Sequence, residues 1–347
     1  PTDMLVQPAL IVKSGFPTGL IPATTVQENA TIRPAYRFIP TQYALQWFTD
    51  VQRELPGRTV LTLSYLGAGG RHMIMHRNLN QPLTPGPGAI KNRRPMPFFG
   101  GINLADPSGK SSYNAATARA EKRYAGGLTF LGAYTWSHII DDGAGTLNDG
   151  TGDAGVRDTY NLRVHRGNSA YDLRQNFTLG GLYDLPFGKG RRWGNISGGA
   201  NWLLGGWQIA GGLAIRTGRP FSATVSTDLS NTGTTNYPNR ISSGVLPADQ
   251  RSIDRWFDLT AFTLPAQYTY GNAGRDILFG PASRSSSLKI GKNFYFKERY
   301  RVEFRCEMFN FTNTPDFGLP AAAVNLPQAG QIRSAGEPRR IQFGLKL

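Results

Sequence analysis

The stretch RYRVEFRCEMFNF, residues 299–311, alternates with a period of two: Arg301, Glu303, Arg305 and Glu307 fall on one side, Val302, Phe304, Cys306 and Met308 on the other. Successive side chains of a strand point to opposite faces, so this segment presents one ionic face and one oily face. A soluble sandwich also alternates, but its polar face meets open water and usually carries Thr, Ser and Lys. A tight ladder of opposite charges fits a transmembrane barrel better, where the apolar face meets lipid and the charged face lines an interior in which opposite charges pair.

The same period marks nine candidate strands: 42–54, 58–67 with a continuation to about 79, 112–124, 128–139, 173–185, 206–218, 284–296, 300–312 and 340–347. Each is long enough to cross a hydrocarbon core when tilted. In the sixth, Trp207, Ile209, Leu213 and Ile215 oppose Gln208, Ala210, Gly212, Ala214 and Arg216; in the last, Ile341, Phe343, Leu345 and Leu347 oppose Arg340, Gln342 and Lys346. The predicted lipid-facing set is therefore Trp207, Ile209, Val302, Phe304, Ile341, Phe343 and Leu345. The predicted lumen-facing charges are Arg119, Glu121, Arg123, Arg301, Glu303, Arg305 and Glu307. Those charges either brace the wall and dock a plug or form part of a ligand path.

Short and long links alternate between the strands, with long ones at about 80–111, 140–172, 219–283 and 313–339; only the link 186–205 blurs the pattern. In an antiparallel meander alternate links lie at opposite ends. All long links then fall on one side, which is the asymmetry of outer-membrane barrels with short periplasmic turns and long outer loops. The whole chain, 1–347, reads as the C-terminal part of a large all-β, antiparallel transmembrane β-barrel with its C-terminus on the periplasmic side. Single-chain bacterial barrels have even strand counts, so further strands are expected before residue 1. Tyr124, Phe187, Trp193, Trp202, Phe296 and Tyr300 flank the short links, as an interfacial girdle would, or as the ordinary aromatic content of a β-protein would.

Composition agrees: 42 Gly, 23 Pro and 11% aromatic residues against 18% charged suit strands and turns. No apolar run is long enough for a transmembrane helix, which leaves membrane strands open. The net charge of +15 is spread over KNRRP (91–95), KGRR (189–192) and EPRR (337–340), with no recognition helix or RNA-binding signature. It points to anionic lipid headgroups or an anionic ligand and not to nucleic acid. The single Cys306 cannot form an intramolecular disulfide and reads as a small hydrophobe on its strand's apolar face. The start, PTDMLVQPAL, has no initiator Met and no signal-peptide pattern, so an export signal is expected upstream.

Candidate chemistry is sparse. His72 and His76 in RHMIMHRN are four apart, which on a regular strand points both the same way with Cβ atoms about 13 Å apart, too far to share a metal. The segment DDGAGTLNDGTGDAGVRD (141–158) offers Asp141, Asp142, Asp149 and Asp153 as calcium-loop candidates, but it lacks the DxDxDG register, and an ordinary outer loop is the other reading. No nucleophile elbow, phosphate loop or paired-cysteine site is present, so the expectation is no enzyme and no cofactor. Ligand selection falls to outer-loop runs such as STDLSNTGTTNYPNR (226–240).

In order along the chain, QWFTDVQRELPGRTVLTLSYLGAGGRHM, NLNQPL, SSYNAATARAEKRYAGGLTFLGAYTWSHIIDD, YDLRQNFTLGGLYDLPFGKGRRW, LLGGWQIAGGLAIRTGRPF, YGNAGRDILFGPASRSSSLKIGKNFYFKERYRVEFRCEMFNFTNTPDFGLP and RIQFGLKL resemble the C-terminal barrel half of TonB-dependent outer-membrane receptors. The nearest resemblance is to the subfamily with a carboxypeptidase-regulatory-like domain ahead of the plug, and it extends from about Pro34 to Leu347. It implies a plugged barrel of the 22-stranded class in a Gram-negative-type bacterium, importing a scarce or bulky nutrient with energy passed from the inner membrane. The implied partners are outer-membrane lipid, the plug upstream in the same protein, a TonB-type energy-coupling protein reached through the N-terminal region, and a small-molecule, glycan or peptide ligand. The family tends to end in an aromatic residue, whereas this sequence ends at Leu347. A passive porin-like or structural barrel, or an envelope-complex subunit without energised transport, is the alternative, and a soluble glycan-binding sandwich is a third class.

Overall fold

The computed structural model describes residues 29–34, 36, 38–143, 156–191, 193, 198–296 and 300–347. Nine long strands form the wall: β1 Tyr43–Leu55, β2 Thr59–Asn78, β3 Asn103–Ala125, β4 Leu128–Asp141, β5 Gln175–Asp184, β6 Trp207–Arg216, β7 Ser283–Phe296, β8 Tyr300–Phe309 and β9 Arg340–Lys346. Each pairs antiparallel with its sequence neighbours, and a two-residue strand, Gly167–Asn168, adds to the end of β4. β1 and β9 are the two outer strands of an open sheet, so this chain contributes a segment of barrel wall. The antiparallel order puts the links 56–58, 126–127, 185–206 and 297–299 at one end and 79–102, 142–174, 217–282 and 310–339 at the other. We call these the short-link and long-link ends.

The tightest turn explains itself from sequence. Gly126 and Gly127 have φ of 62° and 84° between the paired residues Ala125 and Leu128, the conformation of a two-residue hairpin whose twist matches that of its strands. Only glycine enters that region without a penalty.

Directly paired residues of antiparallel strands lie on the same face, so register carries each face across the sheet. One row runs Val51, Leu63, Ala118, Tyr134, Phe177, Ile215. Another runs Tyr183, Ile209, Ile290, Cys306, Phe343. The opposite face carries Gln52, Thr62 and Arg119 in one row and Asp184, Gln208, Gly291 and Arg305 in another. One apolar and one polar face thus persist across all nine strands.

Two local readings change. β3 starts at Asn103, not 112, because Asn78, Arg77, His76 and Met75 of β2 pair with Asn103, Leu104, Ala105 and Asp106. The segment NLADPSG has no alternation to reveal this; pairing with a long partner imposes it, and register shifts around Met73 absorb the misfit. The same irregularity separates the two histidines. His72, at φ 55°, stacks edge-on against Tyr43 at 5.5 Å, while His76 lines a cavity with Asn78 and Asn103, so they do not point the same way.

The long links are folded. Residues 217–282 form a small core of Phe221, Phe257, Phe262 and Leu278, with the rings of Phe257 at 5.8 Å from Phe221 and 5.9 Å from Phe262. Short pairs, Phe221 with Leu278 and Arg240 with Phe262, frame it.

Candidate functional site

At the long-link end, hydrogen bonds to buried side chains join separate links into one cap. Asn80, fully buried, donates to the carbonyls of Met96, Phe99 and Gly100 at 2.9, 3.1 and 2.8 Å and accepts from Met96 N–H at 2.9 Å. Gln81 reaches the next two links: its amide donates to Arg157 O at 3.0 Å and Tyr270 Oη at 2.6 Å, and its carbonyl accepts from Thr159 N–H at 3.0 Å. Arg157 in turn donates to Gly271 O at 2.9 Å and Ala273 O at 3.0 Å, under the Tyr237 ring at 4.7 Å. A buried charge is tolerable only when paired and hydrogen-bonded, and Arg275 meets that condition with Asp141, with Asp276 at 3.1 Å and with His165 O at 2.8 Å. Asp276 also accepts from Ser222 Oγ at 2.9 Å.

His165, 2% exposed, works as an acceptor: its Nε2 receives Arg157 N–H at 3.2 Å and Asp158 N–H at 3.3 Å. Burial first, then the Arg157 and Arg275 charges, lower its pKa from 6.5 to about 4. Asp228 organises 226–236 in the same manner, accepting from Ser230 Oγ at 2.8 Å, Gly233 N–H at 2.7 Å and Asn236 Nδ2 at 2.9 Å. Burial would raise the Asp228 pKa, but these donors outweigh it and hold the carboxylate below its usual range.

Between the outer parts of β2 and β3 and this cap lies a cavity of about 1000 Å3, lined by His76, Asn78, Arg94, Thr224, Thr227 and Thr235 among others. The lining also includes the Asp228 carboxylate and apolar Phe221, Val225 and Leu319, so groups able to hydrogen-bond a ligand are mixed with apolar surface.

The predicted charge ladder occupies the polar wall face. Glu303 is its hub, taking Lys289 and Arg301 each at 3.1 Å, with Arg305 at 3.8 Å; Arg305 also lies 3.8 Å from Glu307, which accepts from Gln342 at 2.6 Å. Arg119 pairs with Glu121 at 2.8 Å on β3, five strands along the sheet from β8; Arg123 lines another recess with Glu54 and Gln52. The ladder is thus two local clusters rather than one continuous network. The predicted outward set, Trp207, Ile209, Val302, Phe304, Ile341, Phe343 and Leu345, shares the apolar face by register, with Phe304 and Phe343 stacked at 6.2 Å.

Of the acidic loop, Asp141 is engaged by Arg275 and by Gly143 N–H at 3.1 Å, and Asp142 by Arg166 at 2.9 Å and Lys110 N–H at 2.9 Å. Asp149 and Asp153 lie outside the described residues. Among the described residues no group of three His, Cys, Asp or Glu could hold a metal ion. Tyr124, Phe187, Trp193 and Trp202 are exposed at the short-link end; the side chains of Phe296 and Tyr300 lie outside the described part. Sequence reasoning missed Asn80, Gln81, Arg157, His165 and Arg275. For Asn80, Gln81 and Arg275 the signal available was the polar residues within NLNQPL and NAGRDILFG, phrases noted only for their resemblance.

Residues 2–342 match the family model described as the outer membrane beta barrel domain. A comparison with the curated proteins gives no match. Among solved structures, the outer membrane transporter YddB from Escherichia coli is similar over 92% of this chain and 34% of that one, at 9% identity and a TM-score of 0.48. The ferripyoverdine receptor of the outer membrane of Pseudomonas aeruginosa bound to ferripyoverdine follows at 11% identity, 87% and 26% coverage and a TM-score of 0.41. BauA, the ferric preacinetobactin receptor from Acinetobacter baumannii, has 10% identity, 88% and 29% coverage and a TM-score of 0.37. The chain spans about a quarter to a third of the length of these three, from 26% to 34%. With a family match over nearly its whole length and a wall that is apolar on one face and polar on the other, the chain belongs to the outer membrane β-barrel family and to the bacterial outer membrane.

Proposed function

We propose that the chain is the C-terminal part of a plugged, TonB-dependent receptor, of the subfamily with an upstream carboxypeptidase-regulatory-like domain, that imports a scarce or bulky nutrient. In this reading all of 1–347 belongs to the barrel, the long-link end faces the exterior and the C-terminus the periplasm. The apolar face, including Trp207, Ile209, Val302, Phe304, Ile341, Phe343 and Leu345, meets lipid. The polar face, with Arg119, Glu121, Arg123, Arg301, Glu303, Arg305 and Glu307, lines the lumen and docks a plug.

The observation that carries this reading is the braced cap at the long-link end, with a cavity of about 1000 Å3 between it and the outer parts of β2 and β3. A receptor needs its binding loops held in place before the ligand arrives, since ordering them on binding costs affinity. The mutual pairing around Glu303 adds support, because interior charges that neutralise one another suit contact with a polar plug.

The test is conductance and uptake by the full-length protein. The intact protein is expected to be silent in planar bilayers, and ligand uptake by cells is expected to stop when the proton gradient is collapsed. Steady conductance of the intact protein with no energy source would refute the plugged reading in favour of a passive pore.

A further inference from the structure

The link 185–206 lies at the short-link end, where the links 56–58 and 126–127 are tight turns, yet it carries the helix Gly199–Leu204. That helix leaves Trp202, Leu203 and Leu204 exposed at 52%, 64% and 51%. Its apolar surface continues into the apolar wall face: the Trp202 ring is 4.9 Å from Phe294, and Trp207 Nε1 donates to Leu203 O at 3.0 Å. Lys292 belongs to the same face by register but is buried, its ammonium turned to Gly205 O between the rings of Trp207 at 5.4 Å and Phe294 at 5.0 Å. The surface beside the helix thus stays apolar.

Next to it opens a cavity of about 420 Å3 whose lining includes Lys189, Arg191, Asn201, Trp202 and Phe294, with no carboxylate among the described lining residues. Backbone bonds fix the two basic residues there: Lys189 N–H donates to Asn201 Oδ1 at 2.7 Å and Arg191 N–H to Gly188 O at 3.1 Å. The acid nearest in effect is Asp184, which accepts from Tyr124 Oη at 2.5 Å and Gln208 Nε2 at 2.9 Å and lies within electrostatic reach of Arg191.

We propose that the described residues of this link form a lipid site: Trp202, Leu203 and Leu204 lie in the boundary between headgroups and acyl chains of the inner leaflet, and the adjoining cavity takes the phosphate headgroup of an anionic phospholipid against Lys189 and Arg191. Aromatic and leucine side chains on one side with basic residues at headgroup level are the composition of an interfacial anchor. The cations supply the selectivity for anionic over zwitterionic headgroups, and the apolar collar distinguishes a membrane lipid from free phosphate. The proposal rests on the reading that the apolar wall face meets lipid.

The experiment uses the full-length protein in nanodiscs of phosphatidylethanolamine with and without phosphatidylglycerol, with retained lipids identified by native mass spectrometry. The wild type is expected to retain phosphatidylglycerol preferentially, and the Lys189→Glu/Arg191→Glu variant to lose about tenfold or more of that preference. Leu203→Ser/Leu204→Ser is expected to retain less lipid of either kind, and Arg333→Glu/Arg339→Glu, at the long-link end, to match the wild type. An unchanged preference in Lys189→Glu/Arg191→Glu overturns the proposal, as does equal displacement of the lipid by soluble glycerophosphate. Failure of the lipid-facing reading is distinguishable, because the protein would then stay out of the discs altogether; insertion without preference refutes only the site.

Discussion

Acidification should open the cap, and His165 allows the size of the effect to be worked out. In the folded cap its Nε2 must be an unprotonated acceptor, because two backbone N–H groups, of Arg157 and Asp158, point at it. A proton there would set three donors against one another beside the Arg157 and Arg275 guanidiniums. The folded pKa of about 4 against an ordinary 6.5 corresponds to about 3.4 kcal/mol at about 1.36 kcal/mol per pKa unit. The sign follows from linkage: the unfolded segment binds the proton more tightly, so the contribution is complete above 6.5, declines as pH falls below that, and is lost as pH passes about 4. The assay is hydrogen exchange of residues 156–172 in the full-length protein, corrected for the intrinsic pH dependence of exchange, with wall amides as internal reference. Protection of the cap is expected to fall across that window while the wall is unaffected. His165→Leu should be less protected at neutral pH, by about 1–3 kcal/mol for the orphaned donors, and should show no slope over the window. An imidazole that titrates near 6.5 in the folded protein, or a slope that survives in His165→Leu, would refute the argument.

Arg275→Met leaves Asp141 and Asp276 buried without their cation and should weaken the cap by about 3–5 kcal/mol, read as protease cleavage within 217–282. Phe304→Arg, on the apolar face, should cost about 2–4 kcal/mol in folding into bilayers, whereas Ser287→Arg on the polar face should be tolerated; equal costs would contradict the assigned faces. Gly127→Ala places a Cβ 2.8 Å from Asp184 O on a left-handed backbone and should cost at least about 1–2 kcal/mol, measured as a lower urea midpoint than that of Gly126→Ala, whose Cβ would meet open space.

The wall was legible because lipid and lumen impose opposite chemistry on alternate residues, and that alternation survives in any strand the bilayer encloses. Nine strands were expected, and nine long ones are found among the described residues, most with ends within a few residues. The upper half of β3 was not legible, since NLADPSG becomes strand only through its partner β2. The irregular backbone between His72 and His76 was not legible for the related reason that a bulge is invisible to a period of two. The cap was not legible either: Gln81 holds backbone at 157 and 159 and a tyrosine at 270, contacts that span separate links and follow no local rule.

The wall and the cap are held together by different physics, and this divides the labour between them. Alternate residues of the wall answer to the bilayer, so their identities follow from polarity alone and many sequences satisfy them. Each brace of the cap depends on a particular reach and a particular set of donors: an amide at 81 that both donates and accepts, a guanidinium at 157 with two carbonyls ahead of it, a carboxylate at 228 filled by its own loop. Buried groups of this kind lose a full hydrogen bond when changed, so they are committed to holding the links. In the proposed receptor, ligand choice would fall to side chains that line the cavity without serving as braces, such as His76, Thr224 and Thr235. On that proposal, what is bound would change at those positions while the loops keep their arrangement.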